Sequence, residues 1–245
     1  MTTTTTSNTP LLPFYLHQDQ ETQQSYLYEI SIDECGRGPM FGPVYAAAVI
    51  LPRNNFDFSK MRDSKKIHSK KKMRELANYI KEHAIAYSIQ SIDSTTIDQI
   101  NILQADMKAM HECVKDILEQ LKAQEKTAKD VFLLIDGNYF QPYCLFDQEM
   151  NGGEGGLFYV PHHTVEQGDA KYAGIAAASI LAKDARDQYM ADLCEEYPEL
   201  KTRYSLEKNM GYGTKAHLEG IRTHGITQWH RKTFGLCKQA QYSPI

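Results

Sequence analysis

The sequence of 245 residues lacks paired cysteines, long apolar runs and an excess of basic residues. Its five cysteines are widely spaced and none belongs to a Cys-x-x-Cys pair, so neither a disulfide framework nor a zinc site is predicted and a reducing compartment is favoured. The amino terminus has no basic patch followed by an apolar run, and no apolar stretch is long enough to span a bilayer. We therefore expect a cytoplasmic protein that does not bind membranes. The formal net charge of −4 argues against a protein that coats nucleic acid nonspecifically.

Two nucleotide-binding motifs are also missing. The glycines fall as Gly36-x-Gly38-x-x-x-Gly42, which is one residue too long for a dinucleotide fingerprint, and a strand rather than a helix is predicted to follow them. No Gly-Lys-Ser/Thr phosphate loop occurs anywhere in the chain. A nucleotide cofactor is therefore not expected.

The most informative stretch runs from Ile30 to Leu51. Alternating apolar residues predict a strand up to Ile32, and the apolar run Val44 to Leu51 predicts a buried one. The loop between them begins with the adjacent acids Asp33 and Glu34 and then carries three glycines, which allow a ligand to approach the main chain closely. Acids beside bare backbone suggest a metal and a polar ligand. The alternative is a turn with a helix cap or a surface ion pair.

The remaining pattern predicts an α/β domain. A tail rich in Thr and Gln, residues 1–25, is predicted to be disordered. One folded domain is predicted over 26–200, followed by a segment, 201–245, that packs on the same domain. We predict helices at Ser69–His83, at Ser94–Lys122 with Leu103 in its core stripe, and from the region of Asp169 to Tyr189 or beyond, and further strands at Ala84–Ile92, Val131–Ile135 and Leu157–Val160.

A helical crossover would make the first strand parallel to the strand ending at Asp136, so both carboxyl ends would open on the same edge of the sheet. That arrangement brings Asp33, Glu34 and Asp136 together, and a helix beginning near Asp169 would add a fourth acid. Four converging carboxylates need cations, and all-oxygen ligands favour Mg²⁺ or Mn²⁺. Taken singly, Asp136 is also typical of a turn and Asp169 of a helix N-cap. We interpret the pair His162-His163 as structural or exposed, because adjacent strand residues point to opposite faces.

Two basic stretches stand out on this acidic chain, Lys60–Arg74 and Lys201–Lys238. Either one alone fits a solvated helix face. Together with a carboxylate site they favour a track that contacts phosphate backbone.

The run Asp33-Glu34-Cys35-Gly36-Arg37-Gly38-Pro39 resembles the signature of ribonuclease HII, a family that cuts the RNA strand of RNA–DNA hybrids and nicks at ribonucleotides embedded in duplex DNA. The resemblance extends over approximately residues 29–234, through several further motifs in the family's order. These are Asp63-Ser64-Lys65-Lys66, Ile100-Asn101-Ile102-Leu103-Gln104-Ala105, Asp136-Gly137-Asn138, Gly168-Asp169-Ala170-Lys171-Tyr172 with the helix up to Lys183, and Gly211-Tyr212-Gly213-Thr214-Lys215 with His230-Arg231.

The resemblance implies a ribonuclease H-like fold, with a mixed five-stranded sheet flanked by helices. It implies that residues 26–200 form the catalytic domain and that the C-terminal helical segment, 201–245, contacts substrate. It implies an endonuclease that uses two Mg²⁺ or Mn²⁺ ions, held by Asp33, Glu34, Asp136 and Asp169, to leave 5′-phosphate and 3′-hydroxyl ends. It also implies that the backbone of Gly36, Arg37 and Gly38 reads the ribose 2′-hydroxyl and that Tyr212 stacks on the deoxyribose beyond the RNA–DNA junction. The candidates for phosphate contact are Lys65, Lys66, Lys183 and Arg231.

Three departures from the family pattern are Cys35, Gln167 and an apparent insertion at Asn151–Gly156. The order of the motifs suits the bacterial, single-chain type of enzyme, which we expect to be monomeric. Two other classes of function remain open: a non-catalytic module that recognises junctions and recruits repair partners, and a ribonuclease H-like nuclease for other DNA structures.

Overall fold

The computed structural model describes residues 10–15, 26–61, 67 and 69–245. Lys65 and Lys66 lie outside the described residues. No helix in the described part of the chain is both long enough and apolar enough to cross a membrane.

The fold is built on a mixed sheet of five strands in the order β3-β2-β1-β4-β7. These strands are β1 (Tyr28–Cys35), β2 (Val44–Ile50), β3 (Ala86–Ile92), β4 (Val131–Asp136) and β7 (His162–Val165). Strands β1, β2 and β3 form an antiparallel meander, whereas β4 is parallel to both β1 and β7. The predicted parallel pairing of the first strand with the strand ending at Asp136 is confirmed.

Six α-helices are present in the described residues: α1 (Lys70–His83), α2 (Ser94–Lys122), α3 (Ala173–Glu196), α4 (Glu199–Tyr204), α5 (Leu206–Asn209) and α6 (Lys215–His224). Helix α2 covers one face of the sheet, where it packs on Ala46 and Ala48 of β2. Helices α1 and α3 cover the other face, where the alternate residues Ala47 and Val49 point. This alternation follows from the two-residue period of a strand and gives three layers.

Helix α3 lies unusually close to the central strand β1. A Cβ atom added to Gly174 would be 2.1 Å from Oγ of Ser31, so only glycine allows this approach. The close packing brings the first turns of α3 to the strand that ends in the acidic pair.

Helix α1 was predicted correctly, with Ser69 as its N-cap: the Ser69 side chain accepts a hydrogen bond from the Lys72 N–H. Helix α2 has the predicted ends, but it is kinked at Asn101, where φ is 66° and ψ is 165°. The Asn101 side chain accepts hydrogen bonds from the N–H groups of Leu103 and Gln104 and so caps the second part of the helix. This change of direction leaves Leu103 37% exposed, so its prediction as a core residue is wrong.

Two other boundaries differ from prediction. The segment predicted as a strand at Leu157–Val160 forms β6 (Gly156–Tyr159), which pairs with β5 (Cys144–Asp147) in a separate hairpin. The fifth strand of the main sheet is β7, which follows this hairpin. Asp169 lies on a 3₁₀ turn, Gly168–Ala170, and α3 begins only at Ala173.

Residues 10–15 differ from the predicted disordered tail. Phe14 is 7% exposed and belongs to the core on the α1–α3 face. The Leu12 N–H donates to the carbonyl oxygen of Lys171 at 2.8 Å, and the Ala173 N–H donates to the carbonyl oxygen of Leu12 at 2.9 Å. Apolar side chains therefore hold this short segment across the start of α3.

The C-terminal part of the chain packs against the glycine loop and the end of α3. Met40 and Phe41 of that loop share a core cluster with Met190, Leu200 and Tyr204. The backbone is joined as well, because the Met40 N–H donates to the Gly211 carbonyl at 2.9 Å. The loop is thus fixed by residues that lie about 170 positions later in the sequence.

Candidate active site

The site forms at the carboxyl ends of β1 and β4. Ile32 pairs with Ile135, so the next residues, Asp33 and Asp136, leave the two parallel strands side by side. Among the described residues, ligand oxygens of Asp33, Glu34 and Asp136 lie within 4.8 Å of one another. We call these three side chains the acidic cluster. The predicted convergence of these three acids is confirmed by this geometry.

Asp33 is the buried member of the cluster, with 4% of its surface exposed. Burial, followed by the charges of Glu34 and Asp136, raises its pKa well above the usual value. Hydrogen bonds from the Ser179 side chain and the Glu34 N–H, the latter 2.8 Å long, oppose this rise. The carboxylate is therefore oriented by fixed donors, and the repulsion from its two acidic neighbours favours a bound cation.

The fourth predicted acid has a different position. Asp169 is 2% exposed and does not belong to the cluster of ligand atoms within 4.8 Å found in the described part of the chain. Its neighbour Gly168 does touch the cluster, because the Gly168 N–H donates to Oδ1 of Asp136 at 2.6 Å. A metal-binding role for Asp169 remains a prediction.

All-oxygen donors at this spacing fit Mg²⁺ or Mn²⁺, which prefer carboxylates and water, and do not resemble a zinc site. The raised pKa of Asp33 agrees with this fit, because a buried carboxylate beside two other acids is unfavourable without a bound cation. The donor set thus suits the predicted metal but does not distinguish between the two ions.

The glycine loop that follows the cluster is held by a buried arginine. The guanidinium of Arg231 donates to the carbonyl oxygens of Gly36 at 2.6 Å, Arg37 at 2.8 Å and Gly42 at 2.9 Å. Arg231 is fully buried, and burial lowers its pKa to about 9. Each nitrogen of the guanidinium thus supports the loop from inside the protein. A phosphate contact of Arg231 remains a prediction.

A second buried arginine, which the sequence analysis missed, supports the same loop. Arg186 of α3 donates to the carbonyl oxygens of Pro43, Phe41 and Met210. Gly36 has φ +95°, and a Cβ there would lie 2.4 Å from Nε of Arg186, so no side chain fits. One signal was available in the sequence: Arg186 follows Ser179 and Lys183 at helical spacing, on the face of α3 that meets the loop.

Tyr212 lies beside the glycine loop. Its side chain is 49% exposed, and a Cβ at Gly38 would be 3.5 Å from Cε1 of its ring. The side chain of Asn209 accepts a hydrogen bond from the Gly211 N–H at 2.9 Å and fixes the preceding turn. An exposed aromatic ring therefore lies against the backbone of Gly38, four residues after Glu34 of the acidic cluster.

Lys183 and Cys35 lie near the same edge. Burial raises the pKa of the Cys35 thiol to about 11, and the charge of Lys183 opposes this rise. The thiol is therefore not a reactive nucleophile. All five cysteines of the chain are free.

Sequence analysis also missed Asp106, a fully buried acid on α2. Burial and then the charge of Glu34 raise its pKa to about 8, and the Arg37 charge opposes this rise. Arg37 lies between the two acids: its Nη1 is 3.6 Å from Oε1 of Glu34 and its Nε is 3.5 Å from Oδ2 of Asp106. The available signal was an acid within an otherwise apolar stripe of the helix.

Comparison with known proteins agrees with this site. The profile of the ribonuclease HII family matches residues 30–237. Ribonuclease HII of Parabacteroides distasonis is 46% identical over 208 residues, covering 85% of this chain and 90% of that protein. Ribonuclease HII of Bacteroides thetaiotaomicron is 42% identical over 231 residues, covering 94% and 97%.

Solved structures share the fold at low identity. The ribonuclease H2 of Pyrococcus horikoshii has a TM-score of 0.60 at 19% identity and covers 86% of this chain and 96% of its own. The RNase HII in a complex with PCNA from Archaeoglobus fulgidus has a TM-score of 0.58 at 22% identity, with the same coverage.

The mixed sheet with its acidic edge has the ribonuclease H-like fold, and the family match makes the chain a nuclease, a phosphodiester hydrolase. Within that class, the chain belongs to the ribonuclease HII family, whose members are ribonucleases that act on RNA–DNA hybrids.

Proposed function

We propose that this protein is an endonuclease that cleaves the RNA strand of RNA–DNA hybrids and nicks duplex DNA on the 5′ side of an embedded ribonucleotide, leaving 5′-phosphate and 3′-hydroxyl ends. The observation that carries the proposal is the acidic cluster directly preceding the Gly36–Gly38 backbone, with the ring of Tyr212 beside Gly38. The acidic cluster supports metal-assisted hydrolysis, and the adjacent glycine-rich backbone supports contact with a sugar hydroxyl.

The residues divide into three roles. Asp33, Glu34 and Asp136, with Asp169 as the proposed fourth ligand, would hold two Mg²⁺ or Mn²⁺ ions. Bound cations of this kind supply Lewis-acid stabilisation of the phosphate and lower the pKa of an attacking water. Ser179 and the Glu34 N–H orient Asp33 toward that task.

Recognition of the ribonucleotide falls to the glycine loop. Peptide groups of Gly36, Arg37 and Gly38 accept or donate to the 2′-hydroxyl, the group that separates RNA from DNA at a given position. Arg186 and Arg231 keep this backbone rigid, so the contact is preorganised. Tyr212 stacks on the next deoxyribose, and Lys183 contacts phosphate near the cleaved bond.

We further propose that the protein works as a monomer in the reducing environment of the cytoplasm. Five free cysteines support the choice of compartment, since a secreted protein with this number would be expected to form disulfides.

The deciding experiment uses an end-labelled duplex with one ribonucleotide, incubated with the protein and Mg²⁺ or Mn²⁺. We expect a single cut on the 5′ side of the ribonucleotide and none in an all-DNA duplex of the same sequence. Asp33→Asn is expected to abolish cleavage while hybrid binding survives. Uncut substrate with the wild-type protein at every metal concentration would favour a non-catalytic module for junctions.

A competition experiment tests the remaining alternative, a ribonuclease H-like nuclease that acts on other DNA structures. A long RNA–DNA hybrid should compete with the labelled duplex, and a branched DNA without ribonucleotides should not. Stronger competition by the branched DNA would point to a ribonuclease H-like nuclease for other DNA structures.

A further inference from the structure

Asp106 is a fully buried acid outside the acidic cluster. Its side chain is fully buried on α2, in a stripe that includes Ala105 and Met110, and neither of its carboxylate oxygens accepts a hydrogen bond within the described structure. Removing a carboxylate from water without such partners is strongly unfavourable, and most proteins avoid it. A residue that costs stability in this way is expected to have a function elsewhere.

The neighbours of Asp106 indicate where that function lies. The charged groups that act on it are Glu34 and Arg37, both from the loop at the end of β1. Arg37 is 3.5 Å from Asp106 and 3.6 Å from Glu34, which is longer than a hydrogen bond in both cases. One guanidinium is therefore shared by two acids and is bound tightly by neither.

This sharing becomes unbalanced when a cation binds the acidic cluster. Glu34 then pairs with the cation, and a positive ion at that position repels the guanidinium of Arg37. In the described part of the chain, Asp106 is the other acid within 4 Å of Arg37, and it lies on a different element of the fold, α2. If Asp106 were absent, Arg37 would compete with the cation for the carboxylate of Glu34.

We propose that Asp106 is a positioning residue that takes over Arg37 from Glu34 when a divalent cation occupies the acidic cluster, and so keeps the Gly36–Gly38 backbone in place during recognition of the ribonucleotide. The proposal rests on the metal site of the proposed function and assigns to it a residue on α2.

Mn²⁺ affinity, measured from the paramagnetic resonance of free Mn²⁺ without any substrate, tests the proposal directly. We expect Asp106→Asn to weaken Mn²⁺ binding by about tenfold, the lower end for loss of an outer-shell partner. In an Arg37→Gln background, where the competitor is gone, the same change should have no effect on Mn²⁺ affinity. An equal loss in both backgrounds would mean that Asp106 acts only through its own charge, and would overturn the role assigned to it.

Stability supplies the second readout. In EDTA, Asp106→Asn should unfold at the same temperature as the wild type or higher, because the buried carboxyl that it replaces has no hydrogen-bond partner among the described residues. A lower unfolding temperature with unchanged Mn²⁺ affinity would show a purely structural residue and would also overturn the proposal. Asp106→Ala serves as a second variant should the Asn side chain prevent folding, and the exposed Glu112→Gln on the same helix is the matched control, expected to change neither quantity.

The outcomes separate this inference from the proposed function. A wild-type protein that binds no Mn²⁺ would reject the metal site, and both ideas with it. A wild-type protein that binds Mn²⁺ and cleaves, with additive effects of the Asp106 and Arg37 changes, would reject only the positioning role.

Discussion

Replacing Asp33 by Asn should make the metal-free protein more stable while removing its response to metal. At a separation of 4.8 Å, two carboxylates repel by about 3.5 kcal/mol at an effective dielectric constant of 20. Asp33 takes part in two of the three pairs in the acidic cluster, and its raised pKa shows that protonation already relieves part of this repulsion. We therefore expect a net gain of about 1–3 kcal/mol from the substitution, since Asn keeps an acceptor for the Ser179 and Glu34 donors.

A gain of that size raises the unfolding temperature by roughly 3–10 °C in a chain of this length. The wild type should respond to Mn²⁺ instead, with about 2.7 kcal/mol of stabilisation at a concentration one hundred times the dissociation constant. Thermal unfolding followed by circular dichroism, in EDTA and across a Mn²⁺ titration, measures both effects. Glu112→Gln is the control, as an exposed acid distant from the cluster in sequence.

The pH dependence of the metal-free wild type follows from the same group. Because the pKa of Asp33 is raised in the folded state, the folded protein binds more protons than the unfolded chain above the usual carboxyl pKa. The stabilising contribution of protonated Asp33 is complete below that pKa and is lost as the pH rises toward the folded value. Asp33→Asn should remove this loss of stability with rising pH. A variant less stable than the wild type in EDTA, or one with the same Mn²⁺ response, would refute the reasoning.

Three further predictions concern the glycine loop. Gly36→Ala should destabilise the protein by about 3 kcal/mol or more in urea unfolding, because it adds a clash with Arg186 to the strain of positive φ. The control Gly137→Ala, at φ +103° with open space around it, should cost about 1–2 kcal/mol. Equal losses of stability in the two variants would contradict the clash. Arg231→Lys should lower the free energy of unfolding by about 2–4 kcal/mol, because the guanidinium of Arg231 donates to backbone carbonyls of the loop. The salt dependence of hybrid binding should stay unchanged. A salt slope reduced by about one unit would instead indicate a phosphate contact. Tyr212→Phe should retain cleavage at the junction and Tyr212→Ala should lose about tenfold in rate, as expected for a stacking contact; equal rates for the two variants would argue against stacking.

The elements nearest the acids could be predicted because their signals are local. Adjacent residues predict the buried strand β2 and the N-cap of α1, and helical spacing predicts the apolar face of α1. The crossover rule then fixed the parallel pairing of β1 and β4, which aligns Asp33 with Asp136.

Local sequence patterns gave a wrong prediction where two neighbouring segments both resemble strands. The run at Leu157–Val160 is as strand-like as the neighbouring His162–Val165, and only the pairing partner decides which one joins the main sheet. The kink at Asn101 similarly turns an apparent core residue, Leu103, toward solvent. In the same way, Phe14 lies in a tail rich in Thr and Gln but is buried against helices far along the chain, and the backbone of Leu12 pairs with that of Lys171 and Ala173.

The sequence by itself determined the class of fold, the acids at the carboxyl edge and the side-chain-poor loop beside them, because each depends on residue types at short spacing and on general rules of chain connection. Only the tertiary structure decided that Arg231 and Arg186 are buried supports of the glycine loop and that Asp106 faces Arg37. The physical reason is that a charged side chain takes its role from the dielectric environment and the partners around it, and these are contributed by segments distant in the sequence.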